Sequence, residues 1–185
     1  MSQSTHTVLI LESKPFFEHD KRCICFAKET GKLTCLAKYA AKPSKKKVWS
    51  LEPLTIASLT LFKGKSFHII TNYSVTHHFQ NIRTSFNHLQ YALFFTHIIK
   101  KCINEGQENK QLFNLIQETL TLCNKLTPLS EIKSYFYNNF TRFEGIQTQE
   151  TIKQESQYLN DIGHYLGYRL NPPLQLDERS KTLVK

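Results

Sequence analysis

The hydrophobic period of the chain changes once, near residue 80, and this change limits the folds that are open to it. Before that point, short β-branched and apolar runs alternate with turn residues. After Asn81, apolar residues return at the three- and four-residue spacing of helices. Strands followed by helices, without alternation, predict an α+β fold and not a doubly wound sheet.

Five segments of the N-terminal part have the composition of strands: 7–11, 22–27, 33–37, 54–62 and 67–75. The run Glu29-Thr30-Gly31-Lys32 predicts a hairpin turn in which Gly31 has a positive φ, and Lys63-Gly64-Lys65 predicts a second tight turn. Five short strands at close spacing predict a small barrel or a sandwich.

Four helices are predicted after the change of period: 86–103 with an end at Gly106, 110–126, a third opened by Thr127-Pro128, and 149–166 with an end at Gly167. Thr127 is read as the N-cap of the third helix and Pro128 as its first residue. We therefore expect a strand domain over residues 1–80, a helical domain over 81–173 and a tail over 174–185.

The charge of the chain is strongly basic and unevenly distributed. The net charge is +9, and residues 1–80 hold 12 Lys and Arg against five Asp and Glu, whereas residues 81–185 hold 12 against ten. A basic balance indicates an acidic partner, with nucleic acid as the first candidate and a membrane surface or an acidic protein as the second.

A lysine-rich loop carries most of this charge. Six lysines and no acid occur between Lys32 and Trp49, and Pro43 favours a loop over a helix. Lysine neutralises phosphates without reading bases, and exposed aromatics such as Tyr39 and Trp49 stack on unpaired bases. A solvated loop with Trp49 in the core is the alternative. The predicted nucleic-acid-binding residues are Lys14, Lys21, Arg22, Lys32, Lys38, Tyr39, Lys42, Lys45, Lys46, Lys47, Trp49, Lys63 and Lys65.

No catalytic, cofactor or metal site is predicted. The chain has no Walker or dinucleotide-binding glycine motif, and the closely spaced carboxylates Glu18 and Asp20 are explained by a turn between strands. Its five cysteines form no CxxC and are expected to be buried free thiols, as in a cytoplasmic protein. The N-terminus does not resemble a signal peptide, and no apolar run is long enough to span a membrane.

Five aromatic residues crowd one short helical stretch: Tyr135, Phe136, Tyr137, Phe140 and Phe143. They cannot all face one side of a helix, because successive residues step about 100° around its axis. They form either core or a groove for an acidic, apolar peptide. In the second case the predicted partners of the peptide carboxylates are Lys133, Arg142 and Lys153.

Several short motifs occur in the order and spacing of the RecO family of DNA repair and recombination mediators, which the chain resembles over residues 6–173. They are Glu18 with Asp20, Gly31-Lys32, Ala37-Lys38 before the basic loop, Leu51-Glu52-Pro53 and Leu166-Gly167-Tyr168. The family's cysteine-bearing zinc module does not follow the last motif here, so no bound zinc is expected. The family's basic loop usually has Gly at the place of Tyr39 and more Arg, so loop geometry and bidentate phosphate contacts are expected to differ.

The resemblance implies an N-terminal five-stranded OB-type barrel, a helical domain and no bond-breaking activity. It also implies a nucleoid-associated protein of the RecF pathway that binds single- and double-stranded DNA and anneals strands. With RecR, such a protein helps to load the RecA recombinase onto DNA covered by single-strand binding protein, whose acidic C-terminal tail docks on the helices. No small-molecule substrate is implied. The alternatives are a basic OB-fold adaptor for RNA or the ribosome, and a protein-binding scaffold whose charge serves only solubility.

Overall fold

The structure, a computed structural model, describes residues 3–38, 51–147 and 153–174 and consists of five strands followed by four helices. This order confirms the predicted α+β class. The strands are β1 (Gln3–Phe16), β2 (Asp20–Ala27), β3 (Gly31–Ala37), β4 (Thr55–Lys63) and β5 (His68–His77). A short 3-10 turn (Gln80–Thr84) precedes the helices α1 (Phe86–Cys102), α2 (Lys110–Asn124), α3 (Leu129–Phe143) and α4 (Glu155–Leu166).

The strands pair in the order β1-β2-β3-β5-β4, and β4 pairs again with β1, so the sheet closes on itself. Closure depends on the length of β1, whose first half pairs with β4 while its second half pairs with β2. A bulge between Ile10 and Glu12 lies near the changeover, as expected where a strand must bend. All pairs are antiparallel except β3 with β5.

The hydrophobic core has two parts that lie on opposite faces of the sheet. Val8 and Ile10 point into the barrel, whereas Leu9 and Leu11 pack in the cluster that contains the buried faces of all four helices. Burial on both faces explains the continuous apolar run of β1, since a strand with one wet face alternates. The second cluster crosses from barrel to helices, and the division at residue 80 stays a prediction.

Three predicted helix ends are wrong. Pro128, not Thr127, caps α3, because the carbonyl of Pro128 accepts the N–H groups of Glu131 and Ile132 and the helix begins at Leu129. The first helix ends at Cys102 rather than at Gly106, which lies in the following loop.

The third helix end that was predicted wrongly is the start of α4. It begins at Glu155 and not at Gln149, because Gln154 and Gln157 form a reciprocal capping box at its first turn. Residues 148–152 lie outside the described part. The end at Gly167 is confirmed, with this glycine in the left-handed conformation.

The hairpin turn between β2 and β3 fastens the barrel to the loop that follows α1. Gly31 has a φ of +76°, as predicted, and a Cβ atom there would lie 2.2 Å from the carbonyl oxygen of Gln107. The N–H of Lys32 donates to the carbonyl of Asn104 at 3.0 Å. We call this contact between the turn and residues 103–107 the seam.

An ion pair between β1 and α1 forms a second connection between the barrel and the helices. The Glu12 carboxylate lies 2.6 Å from Lys100 Nζ on α1 and 3.0 Å from Lys14 Nζ. The hydrogen bond from Lys100 lowers the pKa of Glu12 from its usual value of 4.5, and burial partly opposes this effect. Because the folded-state pKa is the lower one, the pair stabilises the fold above the unfolded-state pKa and is lost as the pH falls through the folded-state pKa.

We therefore expect Glu12→Gln to lower the free energy of unfolding by about 1 kcal/mol at neutral pH and by almost nothing at a pH below the folded-state pKa of Glu12, where the native carboxyl is protonated. Urea unfolding at both pH values measures the difference. Glu108→Gln is the matched control, because its pair with Lys110 is exposed and worth little. Equal losses at both pH values for Glu12→Gln would show that the side chain acts by packing alone.

Candidate nucleic-acid interface

The described cations that the sequence predicted are spread over the strands and turns of the barrel. Along β3, Leu33, Cys35 and Ala37 point into the barrel, while Lys32 and Thr34 point outward and are half-buried. This alternation follows from the two-residue period of a strand. The outer face of β2 is closed at one end by Phe26, whose ring packs edge-to-face on Phe113 of α2 at 5.3 Å.

Two cations face each other at the other end of β2. Lys14 of β1 is paired in register with Arg22 of β2. Like charges directly opposite on neighbouring strands destabilise a sheet, so this pair favours an anionic ligand. Glu12 lies 3.0 Å from Lys14 Nζ, but the Lys14 side chain remains 63% exposed.

The loop between β4 and β5 adds a second group of cations. Lys63 and Lys65 are exposed on either side of Gly64, whose N–H donates to the carbonyl of Phe67 at 3.1 Å. The Phe67 ring meets Phe16, the last residue of β1, at 5.6 Å between centroids. The β1–β2 turn and the β4–β5 loop are therefore in contact.

A cleft of about 530 Å³ lies beside this loop, between β3 and β5. Its walls include Lys32, Lys63, His68 and Phe67, with Glu105 as a described acidic member. The fold thus brings together two predicted cations that are 31 residues apart in sequence. A cleft with lysines and one acid suits a phosphate-bearing chain.

An aromatic group at the β1–β2 turn was missed by the sequence analysis. Phe17 is 81% exposed, and its ring contacts that of Phe16 at 4.5 Å. Glu18 and Asp20 indicate a turn between strands, and the two phenylalanines before them are not among the predicted site residues. Two neighbouring large apolar residues at a polar turn between strands are the signal that could have found this group.

The remaining predicted residues of this interface are either paired, exposed at a strand end or outside the described part of the chain. Lys21 is half-buried and paired with Glu52 at 2.6 Å, so its charge is already compensated. Lys38 is exposed at the end of β3. The chain is described again from Leu51, which is buried in the barrel. Six predicted residues lie outside the described part: Tyr39, Lys42, Lys45, Lys46, Lys47 and Trp49.

Comparison with known proteins finds relatives of the chain. Residues 1–79 match the family model described as recombination protein O, N terminal. The chain is 29% identical over 116 residues to the DNA repair protein RecO of Alkaliphilus metalliredigens, covering 63% of this chain and 47% of that protein. It is 33% identical over 114 residues to the protein of the same name from Clostridium perfringens, covering 61% and 45%.

The strand half of the chain is therefore similar to the N-terminal part of RecO-family proteins. A third relative, the DNA repair protein RecO of Clostridium acetobutylicum, is 27% identical over 166 residues, which cover 87% of this chain and 66% of that protein. The likeness to this relative therefore extends beyond the barrel. The chain spans about half the length of the first two relatives.

The aromatic residues of α3 are mainly part of the hydrophobic core. Phe136, Tyr137 and Phe140 are buried, and Tyr135 and Phe143 pack at the edge of the same cluster. Core packing, one of the two interpretations given for this stretch, is therefore confirmed for the first three.

The three predicted peptide-binding cations all have partners within the chain. Lys133 pairs with Glu155 at 2.7 Å, and Lys153 pairs with Asp161 at 2.7 Å. Arg142 is exposed and donates to the side-chain oxygen of Asn139 at 3.0 Å. A peptide carboxylate would compete with an acid of the chain at both lysines, but only with a neutral amide at the arginine.

The five cysteines of the chain are free thiols, four of them buried and Cys102 half-buried. Burial raises the pKa of Cys23 to about 11 and that of Cys123 to about 12, which makes both poor nucleophiles and poor metal ligands. Within the described ranges, no three His, Cys, Asp or Glu residues are grouped so that they could hold a metal ion. Likewise, no described helix has the length and apolar character needed to cross a bilayer.

Proposed function

We propose that the chain is a non-enzymatic DNA repair protein whose OB-type barrel binds DNA strands mainly through their phosphates. The observation that carries the proposal is the convergence of Lys32 and Lys63 on one cleft, and the opposed cations Lys14 and Arg22 on β1 and β2 add positive charge to the same barrel. The match of residues 1–79 to the RecO family model and the names of the similar proteins, all DNA repair proteins, support the choice of DNA over other polyanions. The order of the five paired strands supports the OB type.

The finer role that we propose is that of a recombination mediator in the RecF pathway, acting on chromosomal DNA in the cytoplasm. The chain would bind single and double strands, anneal complementary strands and, with RecR, help to load RecA onto DNA covered by single-strand binding protein. We also propose that the acidic tail of that protein docks on the helical half, near Lys133, Arg142 and Lys153. Of these three, Arg142 is the first candidate, because no described ion pair holds its guanidinium.

Strand annealing in the presence of single-strand binding protein tests this role. The full chain should speed the pairing of complementary oligonucleotides that are covered by that protein, and Arg142→Ala should reduce this effect while leaving binding to bare DNA unchanged. A competition between single-stranded DNA and structured RNA at matched salt separates the proposal from an RNA- or ribosome-binding adaptor. Preference for the RNA, or no acceleration of annealing, would contradict it.

The salt dependence of binding provides a quantitative prediction. Because each phosphate neutralised on a single strand contributes about 0.7 to the log–log slope, replacing Lys45, Lys46 and Lys47 together by Ala should reduce the slope by up to about 2. Fluorescence anisotropy with a labelled oligothymidine over a range of salt concentrations measures it.

The matched control removes the same charge from exposed positions on the helical half, by replacing Lys101, Lys110 and Lys125 with Ala. Its slope should stay close to that of the native chain. An unchanged slope in the first variant, or an equal reduction in both variants, would remove the lysine-rich loop from the binding site.

A further inference from the structure

The tip of the turn between β1 and β2 holds a large apolar side chain in water on an unfavourable backbone. Phe17 has a φ of +55° and is 81% exposed, the second most exposed of the described large hydrophobic residues. The left-handed region is disfavoured for a bulky side chain, and turns that need it usually use Gly, Asn or Asp. Neither the backbone nor the exposed ring of Phe17 is thus explained by the stability of the turn.

Phe17 is part of a chain of three ring contacts, in which Phe16 contacts both Phe17 and Phe67. Phe16 meets Phe17 at 4.5 Å with an interplanar angle of 68°, and Phe16 meets Phe67 at 5.6 Å and 75°. Edge-to-face contacts of this kind are favourable and fix relative ring orientations. Phe67 belongs to the β4–β5 loop, so the group is held from two separate connections. We call Phe16, Phe17 and Phe67 the aromatic platform.

Two exposed cations lie close in sequence to the aromatic platform. Lys14 lies two residues before Phe16 on β1, and alternate residues of a strand share a face. Lys65 lies two residues before Phe67 in the exposed β4–β5 loop. Phe67 also lines the cleft that contains Lys32 and Lys63, so platform and cleft are continuous.

This combination selects one kind of ligand. An apolar peptide or a second apolar protein face would leave the lysines unmatched, whereas a nucleic acid strand offers phosphates to the lysines and base faces to the rings. Stacking on an exposed ring needs a base with a free face, which single strands have and the interior of a duplex does not. The platform therefore fits a single strand.

We propose that Phe17 is a base-stacking residue, supported by Phe16 and Phe67, through which the barrel prefers single-stranded over double-stranded DNA. The inference rests on the proposed function, since it assigns a strand preference to the same DNA-binding surface. The lysines attract both forms of DNA through their phosphates, and the ring adds affinity only for unpaired bases.

Removing the ring tests the proposal. Phe17→Ala in the full chain should weaken binding of an oligothymidine about 5- to 100-fold, which is the range expected for the loss of one stacked base. Binding of a duplex of equal length should change less than about twofold. The salt slope for both ligands should stay constant, because no charge is removed.

Three further variants make the result decisive. Phe17→Asn suits the left-handed backbone, so it removes the ring without adding strain to the turn and should behave like Phe17→Ala. Phe17→Trp should keep the single-strand preference, because it restores a stacking surface. Phe86→Ala removes a half-exposed phenylalanine from the start of α1 and should change neither affinity.

The outcomes separate this inference from the proposed function. If the native chain binds DNA and Phe17→Asn weakens single- and double-strand binding equally, or not at all, the stacking role is overturned while DNA binding stands. If Phe17→Trp fails to restore the preference, the ring supports only the turn. If the native chain binds neither ligand, the proposed function itself fails.

Discussion

Replacing Phe113 by Ala is expected to lower the free energy of unfolding of the whole chain by about 3–5 kcal/mol. Phe113 lies on α2, is completely buried and packs edge-to-face on Phe26 of the barrel. Its loss would leave a cavity between the two halves of the molecule. Since domains of this size are stable by only about 5–15 kcal/mol, the change would remove a large share of the total.

Urea unfolding followed by two probes measures this effect. Far-ultraviolet circular dichroism reports mainly on the helices, and alkylation of Cys25, a thiol buried inside the barrel, followed by mass spectrometry reports on the strand half. Because the core cluster crosses between the halves, both probes should show one coincident transition, in the native chain and in the variant.

Phe86→Ala is the matched control, because half of this ring is already in water and its removal should cost less than about 1 kcal/mol. Two separate transitions in the native chain, with only the helical one shifted in Phe113→Ala, would show that the halves fold independently.

The second large effect is expected at the seam. A Cβ atom at Gly31 would lie 2.2 Å from the Gln107 oxygen and 2.6 Å from the Asn104 oxygen, so the backbone has to move. Gly31→Ala should therefore lose the hydrogen bond from Lys32 N–H to Asn104, at about 1–3 kcal/mol. The left-handed φ adds about 1–2 kcal/mol. We expect a total loss of about 3 kcal/mol of unfolding free energy.

Gly106→Ala provides the control for the conformational part. Gly106 has a φ of +71°, close to that of Gly31, but no atom lies within 4 Å of its Cβ position. This variant should lose only the left-handed contribution of about 1–2 kcal/mol. Thermal and urea unfolding of both variants give the difference. Equal losses of unfolding free energy in the two variants would mean that the β2–β3 turn and residues 103–107 are not in close contact in solution.

Local patterns in the sequence were sufficient for the order of the elements. Each strand and helix was predicted because its apolar period is set by the nearest neighbours along the chain. Helix ends were predicted less well. The cap at Pro128 and the capping box at Gln154 use carbonyl and amide groups whose roles depend on the backbone path, so Thr127 and Gln149 were wrong choices.

The features that the sequence did not predict depend on contacts between distant segments of the chain. The six lysines from Lys32 to Lys47 and the charge of residues 1–80 predict a basic surface, but the pair of Lys21 with Glu52 joins residues 31 apart. No local rule distinguishes that lysine from the exposed Lys14. The aromatic platform also depends on a distant contact, because Phe67 reaches Phe16 only when the sheet closes.

The shared core also links ligand binding to folding for the whole chain. A ligand that binds only the folded chain stabilises it by about 2.7 kcal/mol at a hundred times its dissociation constant. Phe26, Phe113 and their neighbours join the barrel and the helices in one core cluster. A ligand bound to the barrel would therefore stabilise the helical half as well. A strand bound at the barrel would then also suppress opening of α2 and α3, so occupancy of one half protects the other from proteolysis.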